Sequence, residues 1–284
     1  MDRGSRHSPG ILDRLEWSHR VFGESCFMPF TLAHPAVVVP LARLGPRVLV
    51  LSALVVGSMA PDFEYFVYLR PIRTIGHDFQ GIWLQCVPAG LVCLAVFDLV
   101  LKHPLMQLLP DSIRLRLLPF ETPTPLWPIA SLLRIVLSIA LGAFTHIAWD
   151  AFTHENGWVV CRVQFLSRTV LEHNGQPLKV YKLLQYVSTV VGLACLAAWS
   201  CRWVGRQPRM ANSGAVGMAP RNRNAVCAVL LVVPVWFGST RALQASNDGL
   251  YRMAGHFVVS TITAVTALVL VYGVLYRFLA HKPS

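Results

Sequence analysis

The chain has 284 residues, 54% of them hydrophobic and only 14% charged, with a mean hydropathy of +0.51. Soluble globular domains carry about 25% charged residues, so this composition excludes an ordinary soluble domain and points to a membrane protein. The formal net charge of +11 is no argument for nucleic acid, because the basic residues sit in short loops between apolar runs, where positive charge sets membrane orientation.

Residues 1–27 are polar, mixed in charge and without periodicity, and they lack the apolar core of a signal peptide. They read as a disordered extension or a start codon assigned too early, because MetProPheThrLeuAlaHisPro from Met28 reads as a fresh start. From Thr31 to Phe66 the chain is apolar but divided. Pro35 to Leu44 and Val48 to Ala60 are each too short to cross about 30 Å of hydrocarbon at about 1.5 Å per residue, and ArgLeuGlyProArg at 43–47 separates them. The expectation is a hairpin of two short helices. His34 opens the first and Asp62 follows the second, so both return to one side. Full-length transmembrane helices are predicted over Gly81 to Leu101, Ile129 to Thr153, Tyr181 to Val204, Ala225 to Leu243 and His256 to Phe278. Pro88 and Pro234 are expected to kink theirs, which lipid-embedded helices tolerate. Pro119 to Pro125 and Arg206 to Asn224 are polar connectors bearing Pro or Gly, and GlyGlnProLeu at 175–178 reads as a turn. No internal repeat is visible. The predicted fold is all-α: a polytopic membrane helix bundle with a short N-terminal helical hairpin and about five full transmembrane helices, residues 28–284 forming one integral membrane domain.

Loop charge sets the expected orientation in the cell inner (plasma) membrane. The loop 202–224 carries Arg202, Arg206, Arg209, Arg221 and Arg223, which places it in the cytoplasm. Alternation puts 102–128 and the C-terminus inside as well, and 61–80, 154–180 and 244–255 outside. The seven cysteines are odd in number and include no CxxC pair. They read as small hydrophobes, with no disulfide framework and no thiolate metal site.

The stretch GlyAlaPheThrHisIleAlaTrpAspAlaPheThrHisGluAsnGly at 142–157 ends an apolar run with polar groups four residues apart. On a helix, His146, Asp150 and His154 share one face, and Gly157 is a plausible terminator that keeps His154 in the last turn. Histidines four apart suit a shared metal ion, and a carboxylate beside them suits zinc. Topology argues independently. Asp62, His77 just before the Gly81 helix, the His146–Asp150–His154 row and His34 all fall at the same membrane face. Ionisable groups at membrane depth are costly and face the interior or a polar cavity. Any one of them alone is ordinarily a solvated border residue, but six from four helix ends converge. Glu64 and Glu155 neighbour the cluster as bases or as solvated side chains. Asp98 near Lys102 reads as an interfacial ion pair at the opposite end. His103, His173, His256 and His281 have no partner at ligand spacing and read as loop or border residues.

MetProPheThrLeuAlaHisPro at 28–35, GlySerMetAlaProAspPheGlu at 57–64, His77 with Gly81 close behind, and ThrHisIleAlaTrpAspAlaPheThrHis at 145–154 together resemble a bacterial membrane family, domain of unknown function 4184, over about residues 28–280. They also resemble a related group described as membrane-bound metal-dependent hydrolases. The order His34, Asp62, His77, His146, Asp150, His154 is similar to the ligand order of the zinc-dependent phospholipase C and single-strand nuclease superfamily. That resemblance implies one metal held by Asp62, His77, His146 and Asp150, a second bridged by Asp150 and taking His34, and a third reached by His154. The superfamily completes its third site with a later His-x3-Glu. Here His173 is followed by Pro177 and His256 by Ser260, so one or two zinc ions are expected rather than three.

The expected function is a membrane-embedded metal-dependent hydrolase at the lipid–water interface, acting on a phosphoester or lipid-linked substrate. Zinc lowers the pKa of a water it holds towards about 7, and Glu64 or Asp150 is expected to take the proton. The alternatives are a non-enzymatic membrane protein whose metal or polar cluster fastens helix ends, and an ion or proton pathway. Membrane lipid is the implied partner; nucleic acid is not, and no protein partner is indicated. The proposed site lies on the non-cytoplasmic face.

Overall fold

A run of twenty or more apolar residues in lipid must satisfy its own backbone hydrogen bonds, and a continuous helix does so. The computed structural model describes residues 31–68, 75–122, 129–173, 176–210, 217–246 and 249–280. The expectations for residues 1–27 and for His281 lie outside these. Helices are numbered here in chain order: α1 (Pro35–Leu44), α2 (Leu51–Met59), α3 (Phe63–Tyr68), α4 (Phe79–Gln107), α5 (Asp111–Leu117), α6 (Ile129–Thr153), α7 (Val180–Arg206), α8 (Pro220–Gln244) and α9 (Leu250–Ala280). Among the described residues α4, α6, α7, α8 and the Arg252–Leu279 part of α9 are long and apolar enough to cross a membrane. The chain is an all-α polytopic bundle of the kind expected for a multi-pass membrane protein.

The N-terminal hairpin forms as α1 and α2. Its turn is pinned to α6 by a serine. The Val50 N–H donates to Ser138 Oγ at 2.9 Å, and that hydroxyl donates onward to the Arg134 carbonyl at 2.6 Å. Further along, α2 and α6 come into backbone contact. A Cβ built on Gly57 would stand 2.7 Å from the Ile139 Cα, and one on Gly142 would stand 2.7 Å from the Ser58 N. Only residues without a side chain allow so close an approach, as small residues do at membrane helix interfaces. Ala53, Leu54, Ile135, Ile139 and Ala143 fill the contact and are fully buried.

Inside α4 the turns Ile82–Cys86 and Phe97–Leu101 are widened. The Val87 N–H reaches the Ile82 carbonyl, and the Lys102 N–H reaches that of Phe97, one residue further than an α-helix allows. The first widened turn leads directly into Pro88. Pro234 sits inside α8 and is buried. Asp98 and Lys102 form the expected ion pair at 3.1 Å, and Lys102 also donates to the Thr122 carbonyl at 2.6 Å. The six described cysteines are free.

Between α6 and α7 the chain forms β1 (Thr169–His173) and β2 (Gln176–Lys179), an antiparallel pair with Leu171 opposite Leu178. Part of the predicted 175–178 turn is therefore strand. Val160, Leu166 and Tyr181 make a small apolar cluster beneath it. This segment follows the last apolar turn of α6, and β-branched Thr169 and Val170 suit a strand there.

Candidate metal centre

The close contact of α2 with α6 decides the site, because it brings the residues after α2 against the polar end of α6. A single 3-10 turn, Ala60–Asp62, leaves α2 and carries Asp62 into the gap. A second, Ile75–His77, brings His77. Gly76 permits this approach: a Cβ there would meet Gln85 Nε2 at 2.8 Å and the Pro61 carbonyl at 3.1 Å. His34 is the N-cap of α1 and precedes Pro35, the first-turn proline that the fixed φ of proline favours. His146 and Asp150 lie on α6 and both are buried. His154 is the next residue after α6, yet its N–H still donates to the Asp150 carbonyl at 3.1 Å, so it completes the last turn. Gly157 closes the helix end by donating to the His154 carbonyl at 2.8 Å.

All six predicted ligands thus converge, and none of their side chains is more than 11% exposed. Around one point stand four cross-distances: His77 Nε2 to Asp62 Oδ1 at 3.2 Å, His146 Nε2 to Asp62 Oδ1 at 3.5 Å, His146 Nε2 to Asp150 Oδ2 at 3.5 Å, and His77 Nε2 to Asp150 Oδ2 at 3.7 Å. Ligands about 2.0–2.2 Å from a tetrahedral zinc are separated from one another by about 3.3–3.6 Å. The other carboxylate oxygen of Asp150 faces away, 3.5 Å from His154 Nδ1 and 4.0 Å from His34 Nε2. His34 stacks on His146, ring centres 3.8 Å apart.

Hydrogen bonds fix which atoms point inward. His146 Nδ1 lies 2.8 Å from the Ser58 carbonyl. A carbonyl only accepts, so Nδ1 donates to it and Nε2 faces the two carboxylates. That Nε2 is buried and makes no hydrogen bond. A ring nitrogen facing two carboxylate oxygens in a desolvated pocket is accommodated by a proton on that nitrogen or by a cation between the three groups. Thr31 Oγ1 donates to Asp62 Oδ2 at 2.7 Å, which leaves Oδ1 for the histidines. Tyr65 Oη stands 3.4 Å from His77 Nε2. Burial by itself pushes the Asp62 carboxyl up, but the neighbouring His146 and His77 imidazoles override it and hold the group well below the usual carboxylate range.

Glu64 lies in the first turn of α3, half-buried, two residues after Asp62. Among the described residues, the sets whose ligand atoms all come within 4.8 Å are His34–Asp62–His146 and His77–His146–Asp150, and neither Glu64 nor His154 belongs to one. Elsewhere, His103 Nδ1 pairs with Glu121, and His256 lies on α9, away from the predicted ligands in sequence. Sequence reasoning passed over Thr31, Ser58 and Tyr65. Their signal was proximity to the quoted motifs, since two lie within them and the third immediately follows; nothing in their spacing marks them as supports.

A multi-pass membrane protein with a buried histidine–aspartate cluster at one end of its bundle is the class defined by this fold and site. The sequence matches the family described as Domain of unknown function (DUF4184) over residues 28–274, and the chain belongs to that family. No curated protein and no solved structure matches it.

Proposed function

We propose that the chain is a membrane-embedded metal-dependent hydrolase, acting at the lipid–water interface on a phosphoester or lipid-linked substrate. One observation carries the reading: imidazole and carboxylate atoms from three separate segments surround a single point at zinc-ligand separations, with His146 Nε2 buried and lacking a hydrogen bond. Asp62, His77, His146 and Asp150 would hold the first zinc. Asp150 through its second oxygen, with His34 and His154, would hold another. Zinc in such a set supplies Lewis acidity toward a phosphoryl or acyl oxygen and makes water a nucleophile at neutral pH. The chain's own residues set the geometry: the Ser58 carbonyl fixes the His146 tautomer, Thr31 orients Asp62, and Glu64 or Asp150 is assigned the proton from the attacking water. The arginine-rich loop 202–224 supports placing the site on the non-cytoplasmic side of the cell inner membrane. The ligand order also supports kinship with the membrane-bound metal-dependent hydrolases and, more distantly, with the zinc-dependent phospholipases C.

The near-complete burial of the six ligands favours a second reading, a closed structural site that fastens helix ends, since structural zinc sites fill every position and catalytic ones keep one open. An ion or proton pathway is the third. Elemental analysis of the purified protein, paired with turnover of a generic phosphodiester and of phospholipid vesicles, separates them. The hydrolase reading expects stoichiometric zinc and turnover that His146→Asn and Asp150→Asn abolish. Zinc without turnover across a broad panel, with those variants unfolding, favours the structural role. Ion flux in proteoliposomes without hydrolysis favours the pathway.

A further inference from the structure

At the end of the bundle opposite the histidine cluster, α1 and α7 diverge. Near the cluster they touch: a Cβ on Gly192 would meet the Ala33 carbonyl at 3.2 Å and the Ala36 Cβ at 3.6 Å. Beyond Gly192 a cavity of about 190 Å³ opens between them, lined by Val39, Pro40 and Arg43 of α1 and by Cys195, Leu196 and Trp199 of α7. Its walls are apolar except at Arg43. Arg43 is exposed, and no carboxylate pairs with it among the described residues.

The surrounding charge is one-signed. Cys195, Trp199, Arg202 and Arg206 follow one another at spacings of four, three and four, so they share a face of α7. Arg202 and Arg206 at the end of that stripe are exposed and, like Arg47 in the hairpin turn, have no acidic partner among the described residues. The acids at this end are engaged elsewhere: Asp98 with Lys102, Asp111 with Arg114 and Glu121 with His103. An apolar trough therefore runs towards unneutralised guanidinium groups.

We propose that this trough is a binding site for an anionic phospholipid, distinct from the histidine–aspartate centre. An acyl chain fills the groove between α1 and α7. The phosphate accepts from the Arg43 guanidinium, whose planar fork matches phosphate oxygens. Positive residues at a membrane border attract anionic lipid in any case. The apolar cavity that Arg43 borders turns that general attraction into a site.

The test is native mass spectrometry of the full-length protein released from nanodiscs of phosphatidylglycerol and phosphatidylcholine mixed in equal amounts. The expected result is at least one retained lipid with phosphatidylglycerol favoured. Losing the guanidinium opposite a charged phosphate should cut that retention by about tenfold in Arg43→Gln. Leu196→Trp, which fills the trough and leaves Arg43 in place, is expected to displace the lipid as well. Equal retention of the two lipids, unchanged retention in the variants, or a protein dimer carrying no lipid each overturns the proposal. Arg43→Gln alters only an exposed side chain, so it tests the site without disturbing the fold. Zinc content is recorded alongside, because its loss or retention bears on the hydrolase reading and not on this site.

Discussion

Gly142→Ala tests the claim that backbone contact between α2 and α6 builds the candidate metal centre. The added methyl would stand 2.7 Å from the Ser58 N and 3.0 Å from the Gly57 carbonyl carbon, whereas ordinary contact begins at 3.4 Å. These atoms and the still closer Leu54 carbonyl oxygen are all backbone, so no side chain can swing aside, and α2 must retreat by about 1 Å. Overpacking of this kind costs about 1–3 kcal/mol, set against a gain of up to about 1 kcal/mol from replacing glycine within a helix. Gly255→Ala in α9 isolates the second contribution, because nothing lies within 4 Å of its Cβ position. The difference between the two variants is then the packing cost itself, about 1–3 kcal/mol. At about 2–4 °C per kcal/mol for a chain of this size, it should separate their melting temperatures in detergent by several degrees. The residue displaced is Ser58, whose carbonyl holds His146 at 2.8 Å, so zinc affinity should fall about tenfold in Gly142→Ala and stay unchanged in Gly255→Ala. Circular dichroism melts with parallel zinc titrations provide the comparison. A Gly142→Ala protein as stable as Gly255→Ala would refute the reasoning.

Thr31→Val keeps the shape but removes the hydroxyl donated to Asp62; the buried carboxylate should lose about 1.5–3 kcal/mol of charge-assisted bonding, read as at least tenfold weaker zinc binding in competition with a chelating dye. Ser138→Ala leaves the Val50 N–H without its acceptor at the hairpin turn and should cost about 1–3 kcal/mol, seen as earlier thermal unfolding with zinc affinity nearly unchanged. Removing metal with a chelator should lower the melting temperature of the wild-type protein, because a ligand bound only to the folded state stabilises by about 2.7 kcal/mol at one hundred times its Kd. Asp150→Asn should abolish that chelator-dependent shift, and a shift that persists would show the cation to sit elsewhere.

Helix α6 runs from Ile129 to Thr153, the span that hydropathy alone predicts, and the other long helices differ from their predicted spans only at the ends. Their formation is a local matter: an apolar segment in lipid has no water to bond, so its own backbone must close each bond within the segment. The His146–Asp150–His154 row was legible for the same reason, since helical periodicity is a property of neighbouring residues. The hairpin of α1 and α2 was legible because each half is too short to span. Partners across the chain are of another kind. That Gly57 and Gly142 are the points of contact, that the Ser58 carbonyl accepts from His146 Nδ1, that Thr31 occupies one oxygen of Asp62, and that a cavity opens between α1 and α7 beyond Gly192 all depend on which faces meet. A glycine reads the same in sequence whether its missing side chain is filled by another backbone or by lipid. The sequence by itself therefore determined the helices and the chemical types at their ends. Only the tertiary structure decided which atoms face one another, because packing couples residues that no local rule connects.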